Sequence, residues 1–321
     1  MKKISIIIPC RRIDPLAEKC IKECLRLDYD NFEILVLPDK KDKKISKKYM
    51  DKKLKIVRTI KPKPSFKRNL GMKKAEGEFF AFIDSDAYPR KDWLKNAVKY
   101  FGDEKIGIVG GPNITPPESN FWEKVSGYSL ANFFVSGHAA IRHKEGKSQF
   151  VTELPSCNYI VRKEAASGYD SKFLTAEDTK FCFNARKKGY KIFYAKDVLV
   201  YHHRRDSLGK HFKQMFIYGR DNLWLMKKEF SLNKLHFLIT IVGLLGFFAG
   251  FILSFFNSTT RFLFLIVLGI YLLTFFITSI KENLKITFWV FITSAVTPFV
   301  HGIGSLYGLL KKQKLNISSE R

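Results

Sequence analysis

No Asp, Glu, Lys or Arg occurs in residues 235–256, 262–280 or 286–310. Runs of that length are enough, at about 1.5 Å per residue, to cross a hydrocarbon core of about 30 Å. One helix apolar all round can hide in a large soluble core, but three in succession cannot, so this part of the chain reads as membrane segments. Acidic residues are scarce everywhere: 30 Asp+Glu stand against 56 Lys+Arg, a formal net charge of +26, and only Glu282 and Glu320 lie beyond residue 234. The five cysteines (Cys10, Cys20, Cys24, Cys157, Cys182) form no CxxC pair and no zinc spacing, which excludes a disulfide framework or a structural zinc site. Cys20 and Cys24, four apart on an expected helix, read as buried thiols, and the odd count points to a reducing compartment for the soluble part. No Gly-Lys-Ser/Thr loop and no GxGxxG follows the first strand, so phosphate is not held in either of those ways. The lysines, as in Lys40–Lys48, lack the interleaved aromatics of a single-strand platform. They read as a solvated surface beside anionic lipid, with membrane lipid an expected partner and nucleic acid not.

What is present, before residue 234, is an alternation of β-branched runs with helical patterns. "KISIIIP" (3–9) precedes a helix from Pro15 to about Leu27, and "FEILVLP" (32–38) and "LKIVRTI" (54–60) follow. A helix around 65–76, the run "EFFAFID" (78–84), a helix near 91–101 and "IGIVGG" (106–111) complete the series. The opening apolar run is too short for the core of a signal peptide and stops at Pro9, so it is expected to be the first core strand. Asp14 before Pro15 supplies an N-cap with proline in the first turn. Apolar runs without clean alternation predict strands buried on both faces, hence an α/β doubly wound, mostly parallel sheet. Such sheets bind ligands beyond the C-terminal ends of their strands. Pro9-Cys10-Arg11 ends the first strand, Asp39 the second and Asp84-Ser85-Asp86 the fourth, so all are expected on one edge.

A single carboxylate at a strand end, such as Asp39, is as often a cap or a turn former. Two of them one residue apart repel each other unless a cation lies between. Carboxylates combined with substrate phosphates are the usual environment of Mg²⁺, and Mn²⁺ favours similar ligands.

Over roughly residues 3–225 the chain resembles the family 2 glycosyltransferases with a GT-A fold, through motifs in their family order. "ISIIIPCRR" resembles the opening strand, with Cys10-Arg11-Arg12 replacing the usual polar-aromatic-Asn ending. "EILVLPDK" is similar to the second strand, and "KRNLGMKKAEGEFFAFIDSDAYP" to the Arg-Asn-x-Gly helix, Ala-x-Gly and a strand ending in DxD. "LPSCNYIVRKEA" resembles the approach to the acceptor site. "FLTAEDTKFCFNARKKGYKI" looks like the Glu-Asp motif that opens a helix, and "VLVYHHRRDS" like the strand ending in a metal-site histidine. "KQMFIYGRDNLW" is similar to a later helix of membrane-attached members of the succinoglycan and exopolysaccharide type. The Gln-x-x-Arg-Trp signature of processive synthases is absent.

The resemblance implies a nucleotide-sugar donor, a UDP-sugar, and a divalent metal ion, Mn²⁺ or Mg²⁺. Pro9, Asp39, Arg68, Asp84 and Asp86 fall at donor-binding positions, with Asp39 matching the aspartate that reads the nucleoside base. Asp86 is expected to touch the metal, Asp84 to bind ribose or the metal through water, and His202 to complete the metal site, with His203 its rival. Arg68 would neutralise the diphosphate or order the nucleoside; on its own it reads as a solvated helix face beside Lys67, Lys73 and Lys74. Asp178 would be the catalytic base with Glu177 orienting it, although acidic residues in a first helical turn otherwise serve the helix dipole. One base without a covalent nucleophile implies inversion. The expected acceptor is a lipid-linked or membrane-proximal glycan. Polyprenyl phosphate as acceptor and a non-catalytic, membrane-anchored nucleotide- or polyanion-binding module remain as alternatives.

The organisation expected is a glycosyltransferase domain (1–204), an amphipathic connector (205–234), a transmembrane region (235–310) and a polar tail (311–321). Arg204, Arg205, Lys210, Lys213, Arg220, Lys227 and Lys228 precede Leu235 and predict a multi-pass protein of the plasma membrane with its catalytic domain in the cytoplasm. Three full spans would put the basic tail outside, against the same rule. Pro298, His301, Gly302 and Gly304 make the third segment the candidate for a re-entrant or interfacial helix.

Overall fold

The computed structural model describes residues 1–39, 51–59, 61–171, 175–228 and 238–312. Its strands are β1 (Ile4–Pro9), β2 (Phe32–Leu37), β3 (Leu54–Ile56), β4 (Phe79–Phe82), β5 (Ala87–Pro89), β6 (Ile106–Gly110), β7 (Asn113–Ile114), β8 (Gln149–Val151), β9 (Tyr159–Arg162), β10 (Lys191–Tyr194) and β11 (Val200–His202). The helices are α1 (Pro15–Leu25), α2 (Pro64–Lys74), α3 (Trp93–Tyr100), α4 (Phe121–Leu130), α5 (Phe133–Ser136), α6 (Glu177–Lys187), α7 (Leu208–Lys228), α8 (Ile239–Leu253), α9 (Ser258–Ser279) and α10 (Leu284–Leu310). Two compact units result: Met1–Pro116 with Lys144–His203, and Pro117–His143 with the described residues from Arg204 onward.

The first unit is built on a sheet of order β3-β2-β1-β4-β9-β6-β10-β8. β1, β2 and β4 are buried along their whole length, as their unbroken apolar runs predict. β1 pairs in parallel with both β2 and β4. The sheet is mixed, however: β9 runs antiparallel between β4 and β6, and β8 antiparallel to β10. The Asp14 cap forms, its side chain accepting from Ala17 N at 3.1 Å. Gly71 brings α2 down onto β1, since a Cβ there would lie 2.6 Å from Ile7 Cγ2. Buried Glu33 ties the N-terminal strand pair together. Burial pushes its pKa up, but hydrogen bonds from Ser5 Oγ (2.7 Å), Glu76 N (2.7 Å) and Lys55 Nζ (2.9 Å) outweigh it and hold the carboxyl below the usual range. All five cysteines are buried thiols.

A second, small sheet of order β5-β11-β7 lies in the same unit. β11 pairs antiparallel with β5, with His202 opposite Ala87, the residue after Asp86. The backbone N–H of His203 donates to Asp86 O at 3.0 Å.

In the second unit, Asn120 and Glu123 close a capping box at the start of α4. α7 and α10 pack along a seam of small residues. A Cβ on Gly304 or Gly308 would strike the backbone of Phe216 or Arg220, and one on Gly219 the backbone at His301. Close backbone approach through small residues is how helices associate without a hydrophobic driving force. The glycines that suggest a re-entrant third segment are therefore packing positions, and Leu284–Leu310 is one continuous helix through Pro298. Trp224 Nε1 and Lys227 Nζ donate to the terminal carbonyls of Lys311 and Leu309 at 3.0 and 2.8 Å. α9 and α10, of 22 and 27 residues, are long and apolar enough to cross a membrane. The first expected span, 235–256, is different: Ile239–Leu253 is 15 residues, about 22 Å at 1.5 Å per residue, short of a crossing. Residues 235–237, the connector beyond residue 228, the tail beyond residue 312 and the basic run after Asp39 lie outside the described residues.

Candidate active site

The buried run of β4 carries Ile83 into the core and then releases Asp84 and Asp86 at the strand's C-terminal edge. Pairing of β11 with β5 brings His202 to the same place. One ligand atom from each of Asp84, Asp86 and His202 lies within 4.8 Å of the others, and all three residues are half-buried. His202 Nε2 is 3.2 Å from Asp86 Oδ1. The register decides between the two histidines, since His203 turns its ring toward Tyr88, with centroids 6.3 Å apart. Two carboxylates suit Mn²⁺ or Mg²⁺, and three protein ligands with the imidazole would leave positions for phosphate oxygens.

Arg68 is 4% exposed and far from a solvated helix face. Its Nη2 donates to Asp84 Oδ1 at 2.7 Å and its Nη1 to Glu177 Oε1 at 3.3 Å, while Asp178 Oδ1 is 4.0 Å from Nη1. The guanidinium also lies over the Tyr169 ring, 5.2 Å from its centroid. Burial alone would lower the Arg68 pKa, but the carboxylates of Asp84, Asp178 and Glu177 reverse the sign and raise it well above its ordinary value. One buried cation thus joins the DxD strand end to the start of α6.

Asp178 Oδ2 accepts from Ser156 N at 3.0 Å. Its Oδ1 is shielded and accepts no hydrogen bond among the described residues. The side chain as a whole keeps 23% of its surface exposed. Burial raises the Asp178 pKa, against the opposing pull of Arg68 and Ser156. A carboxylate with a raised pKa and a vacant lone pair is a stronger base than a solvated one.

Pro9 is the buried end of β1, and the carbonyl of the next residue, Cys10, is where it reaches the site. Lys67 Nζ donates to Cys10 O at 2.5 Å and pairs with Asp39 Oδ1 at 2.5 Å. The expected residues therefore fall into two clusters: Arg68, Asp84, Asp86, Glu177, Asp178 and His202 in one, Asp39 with Lys67 in the other. Sequence reasoning missed Lys67, and it missed Asn69, whose side chain clasps the Tyr169 backbone at 2.7 and 2.8 Å and so fixes the ring under Arg68. The available signal for Lys67 was a polar residue one turn before Gly71, on the same face of α2.

The profile of glycosyl transferase family 2 matches residues 5–167. The chain belongs to that family. It is 28% identical over 272 residues to a dolichyl N-acetyl-alpha-D-glucosaminyl phosphate 3-beta-D-2,3-diacetamido-2,3-dideoxy-beta-D-glucuronosyltransferase of Methanococcus voltae, covering 77% of this chain and 84% of the relative. It is 25% identical over 242 residues to the poly(ribitol-phosphate) beta-N-acetylglucosaminyltransferase TarS of Staphylococcus aureus, 71% of this chain and 40% of that one. Among solved structures, a mannosyltransferase from Pyrobaculum calidifontis in complex with GDP-Man and Mn²⁺ superposes with a TM-score of 0.66 at 14% identity. That match covers 95% of this chain and 87% of the mannosyltransferase, and the fold is GT-A.

Proposed function

We propose that this family 2 glycosyltransferase is a membrane-attached, metal-dependent, inverting enzyme. It moves a sugar from a nucleotide-diphospho-sugar to the hydroxyl of a lipid-linked glycan. The observation that carries this reading is the line Asp86–Asp84–Arg68–Asp178, in which the candidate cation ligands and the candidate base are joined by one buried guanidinium. The name of the M. voltae relative, which acts on a lipid-phosphate-linked sugar, supports the acceptor class. The apolar helices from residue 239 onward support attachment to the membrane, with residues 205–234 as the connector and the basic residues before Leu235 favouring a cytoplasmic catalytic domain.

Asp84, Asp86 and His202 would hold the cation, which when bound supplies Lewis-acid stabilisation of the diphosphate leaving group. Arg68 holds Asp84 in place, donates to Glu177 and, by its charge, opposes the rise that burial gives the Asp178 pKa. The acceptor oxygen attacks the anomeric carbon as the bond from that carbon to the diphosphate oxygen breaks. The bonding electrons leave with the diphosphate, and the hydroxyl proton passes to the Asp178 carboxylate. A single displacement from the face opposite the leaving group inverts the anomeric centre.

Isolated membranes holding the full chain, given a panel of radiolabelled nucleotide sugars with Mn²⁺ or Mg²⁺, test the reading. Label is expected in the lipid extract when a polyprenyl-phosphate-linked sugar is supplied. Label on bare polyprenyl phosphate would assign the phosphate acceptor instead. Label on neither lipid contradicts the proposal.

A further inference from the structure

Lys67 sits in the first turn of α2, with its side chain 3% exposed. A lysine buried to that degree keeps its charge only if it is paired and hydrogen-bonded. Both conditions are met at the sheet edge, by Asp39 Oδ1 and by the carbonyl of Cys10. The carboxylate is in turn held from the backbone side. Asp39 N donates to Arg11 O at 3.2 Å, and both the backbone N–H and the hydroxyl of Thr59 bond the Pro38 carbonyl just before it. Asp39 nevertheless keeps 26% of its side chain exposed, so its second oxygen is within reach of a ligand.

The position of this pair says which part of a donor it meets. β2 and β4 lie on either side of β1, so Asp39 stands two inter-strand steps, about 10 Å, from the strand that carries Asp84 and Asp86. The family resemblance puts Asp39 at the position that reads the nucleoside base, and this spacing leaves the end of β1 between it and phosphates held at Asp84 and Asp86. This step rests on the donor site proposed above.

We infer that Lys67 sets the base specificity of the donor: by engaging one oxygen of Asp39 it leaves a single acceptor, which selects uracil or thymine over guanine. Guanine presents two parallel donors, N1–H and the N2 amino group, and a carboxylate with both oxygens vacant takes them as a bidentate pair. Uracil presents one donor, N3–H, between two carbonyls. Against uracil, a second vacant oxygen would face a carbonyl and repel it; the Lys67 ammonium occupies that oxygen and neutralises it. Lys67 is thus a positioning residue that acts through Asp39.

Calorimetric titration of the detergent-solubilised full chain with UDP, GDP and pyrophosphate in Mn²⁺ tests the inference in the wild type, Lys67→Met and Lys67→Arg. The wild type is expected to bind UDP about tenfold more tightly than GDP, the scale of one hydrogen bond gained and one repulsion avoided. In Lys67→Met the UDP affinity should fall about tenfold while pyrophosphate binding stays, erasing the preference. Lys67→Arg should keep the preference. Equal loss of UDP, GDP and pyrophosphate affinity in Lys67→Met would overturn the inference, because Lys67 would then serve the diphosphate. If the methionine variant does not fold, the wild-type ratio decides, and a GDP preference overturns the inference. A wild type that binds pyrophosphate but neither nucleotide, or binds nothing, brings down the proposed donor site and this inference with it.

Discussion

Asp178→Asn is expected to lower kcat for transfer to a hydroxyl acceptor by about 10²–10⁴-fold, the usual contribution of a positioned base. Asparagine is nearly isosteric, and its Oδ1 can still accept from Ser156 N, so α6 keeps its N-terminal anchor. What it cannot do is take the acceptor's proton. Donor KM and Mn²⁺ affinity should therefore change little, since the side chain touches neither the DxD ligands nor the Asp39 pair. The pH profile adds a second readout. Burial raises the Asp178 pKa, so in the wild type the acid limb of kcat/KM should lie above the ordinary aspartate value of about 3.9, with activity lost as pH falls through it. That limb should vanish in the variant's residual activity. Full activity in Asp178→Asn would mean that the acceptor arrives already ionised, as polyprenyl phosphate does.

Arg68→Met should cost both stability and turnover. The guanidinium is the shared partner of Asp84, Glu177 and Asp178, and Glu177 is as buried as Arg68 itself. Removing one partner of a buried ionic cluster costs about 3–5 kcal/mol, because the remaining charge is left uncompensated. The sign with pH follows from the carboxylates. Without Arg68 the folded Asp178 pKa rises further above its ordinary value, so the folded variant holds a proton that the unfolded chain has released. Stability then falls as pH rises past the ordinary carboxylate range. The deficit of the variant, measured by denaturant unfolding of the solubilised chain, should be larger at pH 8 than at pH 5. A deficit equal at both pH values would mean that Arg68 contributes packing and not charge. The Asp178 acid limb should also move to higher pH, since Arg68 is the charge that lowers it.

Much of the strand edge that carries the candidate site could be read before the fold. β1, β2 and β4 were legible because strands buried on both faces carry unbroken apolar runs, and Asp84 and Asp86 because such a run ends abruptly at them. Three features were less accessible, each for a physical reason. The choice between His202 and His203 depends on the register of β11 on β5, a pairing of residues more than a hundred positions apart. Lys67 and Arg68 break the binary pattern of α2: polar side chains on a buried face look like a solvated face until their partners at Asp39 and Asp84 are in place. β9 inserts antiparallel between β4 and β6, although its apolar run reads like that of any central strand. In the second unit, Gly302 and Gly304 suggested a re-entrant or interfacial helix; Gly304, with Gly308, lets α7 approach α10 closely. Hydropathy alone also overstated the first apolar helix, which stops at 15 residues.

Asp84, Asp86 and His202 are expected to bind the cation that carries the donor's diphosphate. Electron paramagnetic resonance of Mn²⁺, titrated into the solubilised full chain with UDP present, measures this directly. The wild type should take up one Mn²⁺ per chain, with UDP tightening its binding, and Asp86→Ala should lose that uptake while remaining folded. Uptake by Asp86→Ala equal to that of the wild type would contradict the claim.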